Sequence, residues 1–84
     1  MEARVAEVID LINMVAEDTS VPKNIRRALV EARDRLKGSD ELSTRIGAAV
    51  YALEAVSEDI NMPMHARTQI WTILSGLESI KTTG

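Results

Sequence analysis

Eighty-four residues with a net charge of −3 make a single domain, 1–84, and the absence of cysteine excludes a disulfide framework, a thiolate nucleophile and a zinc–thiolate site. No apolar run approaches the ~20 residues of a membrane span, and the N-terminus, Met1-Glu2-Ala3-Arg4-Val5, has no signal-peptide layout, so the expected location is the cytoplasm. A chain this short buries only about 60–65% of its unfolded surface, leaving roughly 4–13 kcal/mol of stability and little room for a deep pocket.

The first helix is predicted over 3–18, where Val5, Val8, Ile9, Ile12 and Val15 follow the i, i+3, i+4, i+7 rule. Ser20 is expected to cap a second helix over 22–37, with Pro22 in its first turn, where a missing N–H costs nothing. Its seam is Ile25, Leu29, Ala32 and Leu36. Gly38 reads as a C-cap, and Ser39 or Asp40 starts a third helix over 40–59 with acids in its first turn. Ile46, Ala49, Val50, Leu53 and Val56 form its stripe. Asn61 and Pro63 repeat the earlier start signal before a fourth helix over 63–80, seamed by Ala66, Ile70, Ile73, Leu77 and Ile80. Gly47 and Gly76, each costing about 1 kcal/mol of helix propensity relative to Ala, read as positions of close approach by a neighbouring backbone. No β-pattern appears.

A shift of 41 residues lays the chain on itself. Val15-Ala16-Glu17-Asp18-Thr19-Ser20-Val21-Pro22-Lys23-Asn24-Ile25-Arg26 meets Val56-Ser57-Glu58-Asp59-Ile60-Asn61-Met62-Pro63-Met64-His65-Ala66-Arg67, identical at five of twelve positions, where composition alone gives about one. The core positions register too: Val5 with Ile46, Ile9 with Val50, Ile12 with Leu53, Leu29 with Ile70, Leu36 with Leu77. Short connections make successive helices antiparallel, so the expected fold is an all-α, up-and-down four-helix bundle of two repeated hairpins, near 3–38 and 40–80. An open stack of hairpins is the alternative, although two repeats are fewer than a solenoid normally needs.

The twice-written Val-(Ala/Ser)-Glu-Asp-x-(Ser/Asn)-(Val/Met)-Pro block, on four helices, resembles an uncharacterised family of short archaeal helical-bundle proteins. The resemblance covers nearly the whole chain and implies the bundle but no activity, because the family has no assigned function. The Asp…Arg spacing of each copy is also similar to that of HEAT repeats, whose first helix ends in Asp and whose second begins near an Arg.

Four groups of residues carry possible chemistry. Glu17-Asp18 and Glu58-Asp59 sit at helix C-termini, where the dipole disfavours anions. They read as structural, with Asp18 and Asp59 holding the following helix through its N–H groups and Arg26 or Arg67, in preference to a Mg²⁺ or Ca²⁺ site or to acid–base catalysis. His65 is the only histidine, matches Asn24 in the other copy, and reads as a surface residue. Lys23, Arg26, Arg33 and Lys37 fall within about 80° of one another on a helical wheel. They lie in a segment, 21–37, with six bases and two acids, and could follow a phosphate backbone. A solvated face with pairs such as Arg27–Glu31 and Glu31–Arg35 is the competing reading.

Finally, where copy one has Glu7, Asp10, Lys23, Val30 and Arg33, copy two has Ala48, Tyr51, Met64, Trp71 and Leu74. That is an added apolar face, rich in residues enriched at interface centres. With no Gly-rich phosphate loop, GxSxG, HExxH or CxxC motif, the expectation is a non-enzymatic, cofactor-free interaction module. It is expected to be a homodimer through Tyr51, Met64, Trp71 and Leu74. A nucleic-acid-associated accessory protein using Lys23, Arg26, Arg33 and Lys37 is the alternative.

Overall fold

Each apolar stripe needs a partner, and four helices supply one another. The structure, a computed structural model, describes residues 2–83, and the side-chain environments of residues 3–80. The helices are α1 (Glu2–Ala16), α2 (Lys23–Leu36), α3 (Leu42–Glu54) and α4 (Met64–Thr83). Each packs against its chain neighbours, and α1 also packs against α4, while the diagonal pairs do not meet. The ring of four is thereby closed, which an open stack of hairpins would not be. Its extents are 33 × 20 × 20 Å, the length of one α4-sized helix at about 1.5 Å per residue. Among the described residues no strand occurs, and no helix is long and apolar enough to cross a membrane.

The stripes read from periodicity meet in one core. Val5, Ile12, Val15, Ile25, Leu29, Ala32, Leu36, Ile46, Ala49, Leu53, Ala66, Ile70, Ile73, Leu77 and Ile80 are all buried, and Val8, Ile9 and Val56 pack against them half-buried. Val21 and Met62, one residue before each proline, also enter the core. They plug the turn end of the bundle.

The ends of the helices differ from expectation. α1 stops at Ala16 rather than residue 18, and α3 at Glu54 rather than 59. Beyond each stop the bonds tighten to i→i−3: Asp18 N–H to Val15 O, and Val56, Ser57 and Asp59 N–H to Leu53, Glu54 and Val56 O. The Ser57 hydroxyl also donates to Glu54 O at 3.2 Å, competing for the last carbonyls of α3. Ser20 and Asn61 are not helix caps. Pro22 itself occupies the N-cap of α2, without a side-chain cap bond. Likewise Glu41, not Ser39 or Asp40, precedes α3, whose first turn holds no acid. Lys37 is the C-cap of α2, and no described glycine has positive φ. The C-terminus of α2 is instead satisfied from the next helix. Arg45 donates through Nη1 to Leu36 O at 2.8 Å and through Nε to Asp40 O at 2.9 Å. Its counterpart 41 residues earlier, Arg4, donates to Ser79 Oγ on α4 at 2.9 Å.

The two helical glycines part company. A Cβ at Gly76 would lie 3.3 Å from Val8 Cγ2, so α1 approaches α4 closely there, by a side chain and not by backbone. At Gly47 nothing stands within 4 Å, and the close approach expected there does not occur within the chain.

Candidate interaction surface

The two hairpin turns share one end of the bundle, and their carboxylates tie the copies together crosswise. Asp18 Oδ1 accepts from the Ser20 N–H at 2.9 Å and the Ser20 hydroxyl at 2.6 Å, while Oδ2 meets His65 Nε2 at 3.0 Å. Asp59 Oδ1 accepts from the Asn61 N–H at 2.8 Å, and Oδ2 from Asn24 Nδ2 at 3.0 Å. Each turn aspartate thus rigidifies its own turn and reaches the start of the opposite hairpin's second helix, a reciprocal link between positions 41 apart. The donors hold both acids below the usual carboxylate range: Asp18 at about 2, chiefly through the Ser20 hydroxyl, and Asp59 chiefly through Asn24. The arginines serve the turns differently from expectation. Arg26 donates to Val21 O and Arg67 to Asp59 O, so they bind loop carbonyls and not the aspartate side chains.

Ser20, His65 and Asp18 do not form a nucleophile–base arrangement. The Ser20 hydroxyl proton is given to Asp18, and the same His65 nitrogen faces both Asp18 and, at 3.2 Å, Ser20 Oγ. A triad needs the two ring nitrogens used separately. Among the described residues no three acidic or histidine side chains are arranged to hold a metal ion.

Along α2 and its C-cap the four bases of the stripe divide. Lys23 and Lys37 are exposed. Arg26 is half-buried on Val21 O. Arg33, with its side chain 29% exposed, donates through Nη1 to Asn13 Oδ1 on α1 at 3.1 Å and pairs through Nε with Asp34 at 3.3 Å. Two of the four guanidinium or ammonium groups are therefore spent on the fold. Glu31 pairs with Arg35 at 3.8 Å across an exposed turn.

The added apolar face of copy two lies on α3 and α4. Tyr51 is 79% exposed, Met64 77% and Trp71 57%. Leu74 departs from the expected patch: it is buried within the chain's own core. A position read as the edge of a surface is instead the floor of a groove. That groove runs between α3 and α4 over about 560 Å³, floored by Val50 and Leu74, walled by Trp71, and edged by Glu54, Glu78 and serines including Ser57 and Ser75. Ile60 and Met14, at 91% and 62% exposure, are further large apolar side chains in water. Comparison of the copies signals Ile60, which stands where copy one has Thr19, and Met14, which stands where copy two has Ala55.

Residues 1–80 match the sequence profile of the uncharacterised protein family UPF0147. A UPF0147 protein of Pyrococcus furiosus is 43% identical over 83 residues, covering 96% of this chain and 89% of the relative. One of Methanothermobacter thermautotrophicus is 47% identical over 75 residues, covering 88% and 74%. The crystal structure of the unknown function protein MMP1188 superposes with a TM-score of 0.90 at 43% identity, covering 93% of this chain and 90% of that one. A UPF0147 crystal structure from Thermoplasma acidophilum gives 0.89 at 30% identity, covering 94% of each. The profile match and the relatives agree with the resemblance carried by the repeated Glu-Asp…Pro block, and the chain belongs to the archaeal family UPF0147.

Proposed function

We propose that this protein is a non-enzymatic, cytoplasmic protein–protein interaction module that self-associates through α3 and α4. The exposure of Trp71, Tyr51 and Met64 carries this reading, because copy one folds the same hairpin with Val30, Asp10 and Lys23 at those places. Fully covered Trp and Tyr side chains bury about 150–250 Å² each. At 57% and 79% exposure, the two leave about 200–340 Å² per copy to be covered. At about 25 cal/mol per Å² that amounts to roughly 5–8 kcal/mol per copy, gross. Two copies together give about 10–16 kcal/mol, of the same order as the estimated cost of association, about 4–15 kcal/mol. A twofold contact covers both patches with one self-complementary surface.

Light scattering tests it directly. The wild type should show about twice the 9.2 kDa chain mass, and Trp71→Glu should give a folded protein of single-chain mass. A Trp71→Glu variant that still self-associates would move the contact elsewhere.

A further inference from the structure

The first hairpin shows what the groove in the second one lacks. Between α1 and α2 the equivalent cleft is crossed by Arg33, bonded to Asn13 on the facing helix. Forty-one residues later the arginine has become Leu74 and the asparagine Glu54, and both line the open groove. Leucine is too short to cross, while the acceptor opposite has gained a full negative charge. Glu54 has no cationic partner among the described residues. Val30 has become Trp71, which lines the same groove as that carboxylate.

We propose that the α3–α4 groove is a receptor for one arginine side chain of a contacting polypeptide, its guanidinium on Glu54 and its stem against Trp71 and Leu74. The proposal rests on the reading of this face as a contact surface, though not on which chain makes the contact. Three properties select arginine over lysine. Its planar fork pairs bidentately with a carboxylate. It stacks on an aromatic face while its methylenes cover apolar surface. The fold already houses the same group at the equivalent place in the other hairpin, half-buried between two helices. Ser57 and Ser75 line the groove and offer oxygens for the remaining N–H groups. At about 560 Å³ the groove falls within the range of small-ligand sites, about 300–1,000 Å³, leaving room for residues flanking the arginine.

The test uses N-acetyl-arginine amide, titrated into protein diluted to about 1 μM, while the emission of Trp71, the only tryptophan, is followed. Light scattering in the same buffer gives the mass. The expected result is a saturable change in emission at millimolar probe, at least about tenfold weaker with the uncharged isostere N-acetyl-citrulline amide. The change should be absent in Glu54→Gln, an exposed groove-edge substitution, and in Leu74→Arg, which returns the first copy's arginine to the same chain. Should Leu74→Arg fail to fold, Glu54→Gln alone decides. An equal response to the citrulline probe, or an undiminished one in Glu54→Gln, overturns the proposal. A chain that stays monomeric yet binds the probe overturns self-association alone. One that self-associates but does not respond when dilute overturns the arginine receptor alone.

Discussion

Replacing Gly47 and Gly76 with alanine, one at a time, probes the packing of α3 and α4 separately. A helical glycine forgoes about 0.5–1 kcal/mol relative to alanine, because the unfolded chain has more freedom to lose. At Gly47 the new methyl group meets nothing within 4 Å, so the gain should appear in full. For a domain of this size a change of 1 kcal/mol shifts Tm by about 4–8 °C, and Gly47→Ala should therefore raise it by about 2–8 °C. At Gly76 the methyl would stand 3.3 Å from Val8 Cγ2, on a half-buried valine packed against the core. Either Val8 yields or α4 moves off α1, and overpacking of this kind costs about 1–3 kcal/mol. Gly76→Ala should thus lie between neutral and about 2 kcal/mol destabilising, and Val8→Ala in the same chain should remove most of that loss. Thermal and urea unfolding, followed by circular dichroism on dilute protein, measure both. Equal stabilisation by the two substitutions, or a lowered Tm for Gly47→Ala in the monomer, would refute the reasoning.

Asp18, whose pKa is lowered from 3.8 to about 2 in the fold, stabilises the native state above its unfolded value, and that contribution is lost as the pH falls from about 4 towards 2. Asp18→Asn should flatten this part of the Tm–pH profile; an unchanged profile would contradict the turn geometry. Millimolar Mg²⁺ or Ca²⁺ should leave Tm unchanged, because all four oxygens of Asp18 and Asp59 already have polar partners within hydrogen-bond distance. A clear cation-dependent rise would show a ligand bound to the native state. Arg45→Met should destabilise by about 1–3 kcal/mol by releasing Leu36 O and Asp40 O, and an unaltered urea midpoint would argue against the clamp.

Spacing alone carried the fold, since a buried stripe such as Ile25-Leu29-Ala32-Leu36 needs only 3.6-residue periodicity to be recognised, and that is written in the chain. The end of α3 was not legible in the same way. Val56 continues the stripe, while the i→i−3 bonds and the Ser57 hydroxyl on Glu54 O found beyond Glu54 are local and leave no periodic trace. Burial of Val21 and Met62 had an available signal, an apolar residue before proline in both copies. The fate of the bases did not. Arg33 finds Asn13 twenty residues away only because α1 packs on α2 at the angle it does. Leu74 becomes the floor of a groove, not part of a surface, because α3 and α4 leave a cleft open beside Trp71. Tyr51, Met64 and Trp71 were legible as exposed for a different reason: copy one, with Asp10, Lys23 and Val30 at those places, shows that the hairpin can fold without them.

Sedimentation equilibrium of the wild type from about 1 to 100 μM, spanning association energies of about 5–8 kcal/mol, tests self-association through α3 and α4 most directly. A reversible rise from 9.2 kDa to twice that mass, abolished in Trp71→Glu, is the predicted result. A wild type that remains at single-chain mass throughout would contradict it, and would leave the exposed Trp71 face to a different protein.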